Sequence, residues 1–229
     1  MLPSTTIDTI YIGSVQALWP GKPESAIAKQ ATSARLTLSH TGFVRDRQAD
    51  LKVHGGADKA LHHYPAEHYK NWQEELGRPD LVPGSFGENL STKGLVESTV
   101  FIGDIFRLGE TLVQISQGRQ PCWKLNAHTG EGRMAYHFQQ TGRTGWYYRV
   151  LETGEVQVGD EMHLVERPCP DWSVAKVTSA RLTRKVSTED ATALAGLEQL
   201  AEGWRKAFAK MAGGKLDEDT SARLEGSAS

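Results

Sequence analysis

Turn-forming residues interrupt this sequence so often that only short stretches of regular structure fit between them. Twenty-three glycines and nine prolines are spread over 229 residues. Between them lie brief runs of alternating or β-branched character, the pattern of short strands joined by tight turns. Such runs cover residues 8–18, 26–30, 35–39, 60–63, 89–91, 105–108, 111–116, 146–151 and 161–165. Leu108-Gly109-Glu110 reads as a hairpin tip, because glycine accepts a positive φ. Strands this short and numerous predict a closed or nearly closed β-barrel rather than a doubly wound sheet. The expected fold class is mainly β with α: a barrel with peripheral helices. Helices are predicted over 65–76, opened by Pro65, over 122–128 as a short turn after Pro121, and over 131–141.

The composition changes at Arg167-Pro168-Cys169-Pro170, which reads as a linker. It separates a β-rich body, residues 1–167, from a small C-terminal three-helix bundle within 171–213. Its helices are predicted over 174–181, 189–194 and 197–211, with Thr188 capping the second. Leu197, Leu200, Trp204 and Phe208 recur at helical spacing. That stripe is expected to pack or to form a homodimer contact. Residues 214–229 are polar and expected to be a flexible tail.

Charge and hydropathy exclude several classes of function. The formal charge is −2 and the pI is near 6.5, which argues against nucleic acid or an anionic membrane as partner. No apolar run approaches the roughly 18 residues needed to cross a bilayer, and the N-terminal residues have no secretory pattern. A cytoplasmic location is therefore expected, with both cysteines, Cys122 and Cys169, as thiols.

Four segments carry residues suited to chemistry. Cys122 follows a strand and a Gly/Pro loop, opens a predicted helical turn, and has Arg119 and Lys124 nearby in sequence. That is the setting of thiolates that act as nucleophiles or soft metal ligands; the alternative is a buried, inert cysteine. Cys169, between two prolines, lacks such surroundings. Lys52-Val53-His54-Gly55-Gly56-Ala57-Asp58-Lys59 combines glycines, whose amides can form an anion nest, with two lysines and a histidine; it also reads as a plain turn. Gly87, Glu88 and Asn89 follow a glycine-rich loop and are suited either to hydrogen-bonding a heterocycle or to capping a turn. Arg45-Asp46-Arg47-Gln48 is either a phosphate contact or a solvated surface. His62, His63 and His68 lie close in sequence, but their spacing is wrong for structural zinc. Dinucleotide, Walker-type and iron–sulfur fingerprints are absent from the sequence.

In order and spacing, KVHGGADKALHHYPAEHY, FGENLST and GDIFRLGETLVQISQGRQPCWKLN resemble the MOSC family, named for the C-terminal domain of molybdenum cofactor sulfurase. The resemblance covers about residues 10–165 and extends to a bacterial subgroup in which a three-helix domain follows. It implies a β-barrel that binds the molybdenum cofactor (Mo-pterin), with Cys122 as a ligand to molybdenum. Lys52, His54, Gly55, Gly56, Lys59, Gly87, Glu88, Asn89 and Arg119 would line the cofactor pocket, and His54 is the candidate for proton delivery. The implied activity is reduction of N-hydroxylated compounds, including hydroxylaminopurine-type base analogues and amidoximes, with electrons from an external reductase. The helical appendage is a further candidate for docking that donor. Position 118 is Gly where this subgroup usually has Pro, Ala57 stands in place of Pro, and Lys59 in place of Arg. Two other functions remain open on the residues: a non-catalytic cofactor or sulfur carrier, and a metal-free cysteine hydrolase or transferase with Cys122 as nucleophile.

Overall fold

The computed structural model describes residues 3–49 and 55–226. Nine strands form one curled sheet, a half-barrel: β1 (Ser4–Thr6), β2 (Thr9–Ile12), β3 (Gln30–Thr32), β6 (Leu61–Pro65), β7 (Leu90–Thr92), β8 (Ile105–Leu108), β9 (Thr111–Gly118), β10 (Trp146–Glu152) and β12 (Glu161–Glu166). Their order is β1-β12-β8-β9-β10-β6-β7-β2-β3. A smaller sheet holds β4 (Leu36–Ser39), β5 (Gly42–Phe43) and β11 (Gly154–Val156), with β4 central. Both sheets feed one apolar core, in which Leu36, Leu38, Phe43 and Val156 join Ile10, Phe106, Val113, Ile115 and Tyr148. The predicted hairpin is present, with Gly109 at φ 55 between β8 and β9.

Every strand pair is antiparallel except β6–β7, whose register sets Pro65 opposite Thr92. Pro65 therefore ends a strand instead of opening a helix, and α1 (Glu67–Leu76) starts two residues later. The longer predicted strand over 8–18 is limited to β2, and the strand expected over 26–30 lies instead at β3. β10 carries register shifts at Tyr147/Tyr148 and Val150/Glu152 against β9. Such bulges bend a strand and re-aim its side chains.

A second core binds the helices beside the site. Helices α1, α2 (Trp123–Thr129) and α3 (Met134–Thr141) enclose Tyr64, Tyr69, Trp72, Phe86, Leu125 and Phe138. The Trp72 and Phe138 rings stack at 5.5 Å, as do Tyr69 and Phe86 at 5.0 Å. Large aromatic surfaces packed this way contribute area burial plus about 0.5–1.5 kcal/mol per ring pair. This cluster fixes two site elements at once: Leu125 anchors α2, and Phe86 anchors the loop before β7.

The C-terminal part holds the helices α4 (Val174–Thr183), α5 (Thr188–Ala195) and α6 (Glu202–Ala212); the third starts at Glu202 rather than 197, so Leu197 and Leu200 precede it. The cap of α5 is Ser187 rather than Thr188, its side chain accepting from the Asp190 amide at 3.0 Å. These helices do not form a separate bundle core. Val174, Val177, Leu194, Leu200, Trp204 and Phe208 belong to the same buried cluster as the barrel strands. Backbone bonds join the two parts, from Ile102 to Trp172, Val174 to Val100, and Ala201 to Ser116, each 2.9 Å. The Leu200–Trp204–Phe208 stripe is thus covered within the chain. Gly118 shows why the seam is tight: a Cβ there would stand 1.9 Å from Thr178 Oγ1 on α4.

Of the expected flexible tail, residues 227–229 lie outside the described residues. Residues 215–226 return to the body and end in α7 (Ser221–Glu225) against α2. Glu218 pairs with Arg181 and Arg184, and Asn126 Nδ2 donates to the Leu224 carbonyl at 2.9 Å.

Candidate functional site

Lys59, the Gly87–Asn89 loop and the Cys122 loop come together around one site. There a narrow inner pocket of about 80 Å³ opens into a broad cleft of about 720 Å³. Lys59, Cys122, Lys124 and Tyr147 line both. The outer volume lies in the range of small-molecule and cofactor sites, about 300–1,000 Å³.

Cys122 sits at the junction. Its backbone is extended (φ −138°, ψ 166°), and α2 begins at the next residue. The side chain is half-buried, and no disulfide joins it to Cys169, which is buried. Arg119 lies three residues before it. The Arg119 amide continues the β9–β10 pairing by donating to Gly145 O at 3.1 Å. Its guanidinium donates to Phe86 O at 2.7 Å and faces His62 Nδ1 at 3.5 Å. One arginine thereby ties the cysteine loop to the Gly-Glu-Asn loop.

Asn89 and Asp46 form the floor. The Asn89 amide group donates to Asp46 Oδ2 at 2.9 Å and Tyr11 O at 3.2 Å, and its oxygen accepts from the His62 amide at 3.1 Å. Asp46 also accepts from the Gly13 amide at 2.7 Å and pairs with Lys29 Nζ at 2.5 Å. Burial pulls the Lys29 ammonium below its ordinary value, although Asp46 opposes this. Burial, reinforced by the Arg119 charge, holds His62 neutral and well below the usual histidine range. Since Arg119 can only donate to Nδ1, the His62 proton sits on Nε2, facing Thr144 O at 3.4 Å.

Lys59 is carried by a 3-10 turn, Ala57–Lys59, that Asp58 locks in place: Arg149 Nε donates to its carboxylate at 2.9 Å, and Ser116 Oγ donates to its carbonyl at 2.6 Å. Gly56 precedes the turn at φ 92 and lines a neighbouring hollow with Asp46, Arg47 and Gln48. Gly55 is partly buried beside it. Lys52 and His54, expected to hold the cofactor, lie outside the described residues.

Gly87 lines the inner pocket at φ 74, and a Cβ there would meet Ile27 Cγ1 at 2.7 Å, so glycine is required. Glu88 does not line it. Its fully buried carboxylate accepts from the Tyr69 hydroxyl, the Gly84 amide at 2.6 Å and the Phe86 amide at 3.2 Å. Burial raises its pKa despite these donors. Glu88 therefore shapes the loop and is not presented to a ligand. Asn89, likewise read as a heterocycle contact, touches the pocket with its polar atoms already committed to the floor.

The neighbouring histidines have other partners. His63 bonds the Tyr148 hydroxyl at 3.0 Å and Thr92 Oγ1 at 2.8 Å, and His68 faces Glu97 at 2.7 Å. Lys29 and Tyr147 carry no signal in the sequence. Each is a single residue whose role depends on long-range pairing, with no local motif around it. Asp46 is visible there only as one member of a charged run.

Among the described lining residues, Lys29, Arg47, Lys59, Arg119, Lys124 and Arg223 stand against two carboxylates, Asp46 and Glu24. A concave site with that imbalance favours an anion. Cys122 is its one sulfur donor among those residues. Fold and site together define a half-barrel with a cation-lined cleft beside a cysteine.

Comparison with known proteins gives the family. The MOSC domain model matches residues 50–163. The chain is 42% identical to protein YiiM of Escherichia coli over 220 residues, covering 95% of this chain and 97% of that protein. The crystal structure of YiiM from Escherichia coli superposes with a TM-score of 0.81, covering 97% of this chain and 98% of that one, at 34% identity in the structural alignment. YflK of Bacillus subtilis is 42% identical over 210 residues, 88% of this chain and 92% of its own length. A Gibberella moniliformis protein named "Reductase" is 41% identical over 170 residues, covering 73% of this chain but 30% of its own length. The chain belongs to the MOSC domain family, in its YiiM-type branch. No helix among the described residues is long and apolar enough to cross a membrane.

The residues present can be weighed against the cofactor from which the family takes its name. Among the described residues no three His, Cys, Asp or Glu side chains gather to hold a bare metal ion. A molybdenum–pterin needs no such cluster, because its dithiolene brings two sulfurs and leaves one soft protein donor to be supplied. Cys122 supplies that type of donor, and the surrounding cations suit the pterin's phosphate. The donor set and the cleft volume both fit.

Proposed function

We propose that the protein is a reductase of N-hydroxylated compounds that holds a molybdenum–pterin cofactor in this cleft, with electrons delivered by a separate reductase. The observation that carries the reading is the Cys122 side chain, set where a small cationic pocket meets a cofactor-sized cleft. The Gibberella moniliformis protein named "Reductase", matched over 30% of its own length, is consistent with redox chemistry. When bound, the cofactor would supply two electrons, so that R–NHOH and two protons give R–NH2 and water.

The chain's own groups do the rest. Cys122 provides the protein donor. Arg119, Lys59 and Lys124 neutralise the phosphate, while Asp46 keeps Lys29 in place. His62 is neutral and directed at Thr144, so it shapes the pocket and does not deliver protons. Tyr147 faces both the pocket and the cleft, and burial raises its hydroxyl pKa, so it holds a proton at neutral pH.

The test is molybdenum and pterin content, with N-reduction activity, of protein from a cofactor-competent host beside Cys122→Ser. Near-stoichiometric metal in the parent and little in the variant is expected. Undiminished metal and turnover in the variant would refute the role of Cys122. Turnover by molybdenum-free protein would favour a cysteine hydrolase or transferase, and cofactor binding without turnover a carrier.

A further inference from the structure

The C-terminal residues reach the cleft from outside the barrel. Ala222 and Arg223 form part of its wall, facing Cys122, Trp123 and Lys124. Arg223 Nη1 donates to Pro121 O at 2.6 Å, the carbonyl of the peptide bond that enters Cys122. Its Nη2 donates to Gln139 Oε1 on α3 at 2.8 Å. Asn126 on α2 holds the Leu224 carbonyl, and Gly226 lies against the Trp123 ring. A single side chain thus ties the loop that enters Cys122 to α3.

The segment is fastened at its other end. Glu218 accepts from Arg181 Nη1 at 2.8 Å and from Arg184. Arg181 is buried on α4, with its side chain 9% exposed. Arg184 caps α4 at φ 61 and is the only non-glycine residue with positive φ among those described. Glycine is the usual occupant of such a cap, and a residue with a Cβ is strained there. Arginine at this cap accepts that strain and supplies the second half of a two-arginine clamp. Burial pushes the Glu218 carboxyl up, but the two arginines outweigh it and hold it at about 2. The clamp is therefore ionised at any physiological pH.

We propose that residues 217–226 are a working wall of the cleft, latched by Glu218 to Arg181 and Arg184, and that Arg223 is a positioning residue that fixes the Cys122 backbone and adds a cation where an anionic ligand enters. The helical appendage, through α4, carries the latch. The inference deepens the reading above, on which its relevance to a cofactor rests, but its geometry concerns this chain alone.

The test uses the full chain without cofactor, in a Cys169→Ser background. Cys122 is alkylated with iodoacetate, an anion, and with iodoacetamide, its neutral analogue. The ratio of the two rates cancels the thiolate fraction, which both reagents share. Arg223→Gln is expected to lower the iodoacetate-to-iodoacetamide ratio by about threefold, the size of one unit charge lost at the mouth of a solvent-filled cleft. Arg223→Lys should fall between the two, because the charge stays but the forked contact to Pro121 and Gln139 is lost. Glu218→Gln should also lower the ratio, by releasing the wall. Deleting a carboxylate without releasing it would raise the ratio. An unchanged ratio in Arg223→Gln, or a raised one in Glu218→Gln, overturns the proposal. Both positions lie outside the two apolar cores, and thermal unfolding in parallel verifies folding. A flat ratio leaves the cofactor reading standing; absence of molybdenum in the parent protein sinks that reading and leaves the latch intact.

Discussion

The buried pair under the cleft gives the sharpest stability prediction. Lys29 and Asp46 have side chains 8% and 1% exposed and meet at 2.5 Å. An exposed pair would contribute about 0–1 kcal/mol; breaking a buried one costs about 3–5 kcal/mol, because the remaining charge has no compensation. Asp46→Asn is isosteric and can keep the Gly13 contact at one oxygen. Its new amide nitrogen, however, would face two donors, Lys29 Nζ and Asn89 Nδ2. The full penalty of about 3–5 kcal/mol is therefore expected at pH 7. With a urea slope of about 3 kcal/mol/M, the midpoint should fall by about 1–1.7 M. The pH dependence supplies a second check. Lys29 has its folded pKa below the ordinary 10.5, so the unfolded chain holds the proton more tightly. Stability then rises with pH between the folded and unfolded values. Removing Asp46 takes away the group that pulls the folded value back up, which extends that window downward. The deficit of Asp46→Asn should consequently shrink as pH rises toward the folded value of Lys29, which lies below 10.5. A loss under about 1 kcal/mol at pH 7, or a deficit that does not shrink, would refute the assignment of a buried, charged pair.

Two further outcomes concern the frame around the site. His63 is fully buried with a pKa near 3 against an ordinary 6.5. Its contribution is complete above pH 6.5 and is lost as pH falls toward 3, by up to about 1.4 kcal/mol per pH unit. Acid titration of urea midpoints should show this slope, and His63→Asn should flatten it; an equally steep curve in the variant would assign the slope to other groups. Gly118→Ala should cost about 1–3 kcal/mol through overpacking, since the new Cβ would fall 1.9 Å from Thr178 Oγ1. Pairing it with Thr178→Ala should recover part of the loss, and no recovery would mean that the clash lies elsewhere.

Much of the site's outline is readable in the sequence because it is local. Cys122 with Arg119, and Gly87 with its positive φ, belong to short segments whose residue types announce a special backbone or chemistry. Strands β8 and β9 and their hairpin are likewise legible from alternation and one glycine. What escapes reading depends on distant pairing. Glu88 looks like a ligand contact in sequence, and only the approach of Tyr69 and the Gly84 loop reveals it as a brace. Lys29 has no distinguishing neighbours and acquires meaning from Asp46, 17 residues away. Pro65 carries a helix-start signal that the parallel pairing with β7 overrides. The acidic and basic residues of 214–226 look like a solvated end, because their partners, Arg181, Arg184 and Pro121, lie on other elements.

The seam between barrel and helices has a consequence for how such a chain can change. Residues 97–102 share backbone bonds with 172–175, and Trp204 and Phe208 complete a hydrophobic interior begun by the strands. A fragment ending at residue 167 would leave that interior open to water and should clump rather than fold. The appendage is thus no detachable accessory. Grafting, fusion or deletion at the Arg167–Pro170 joint would break a shared interior.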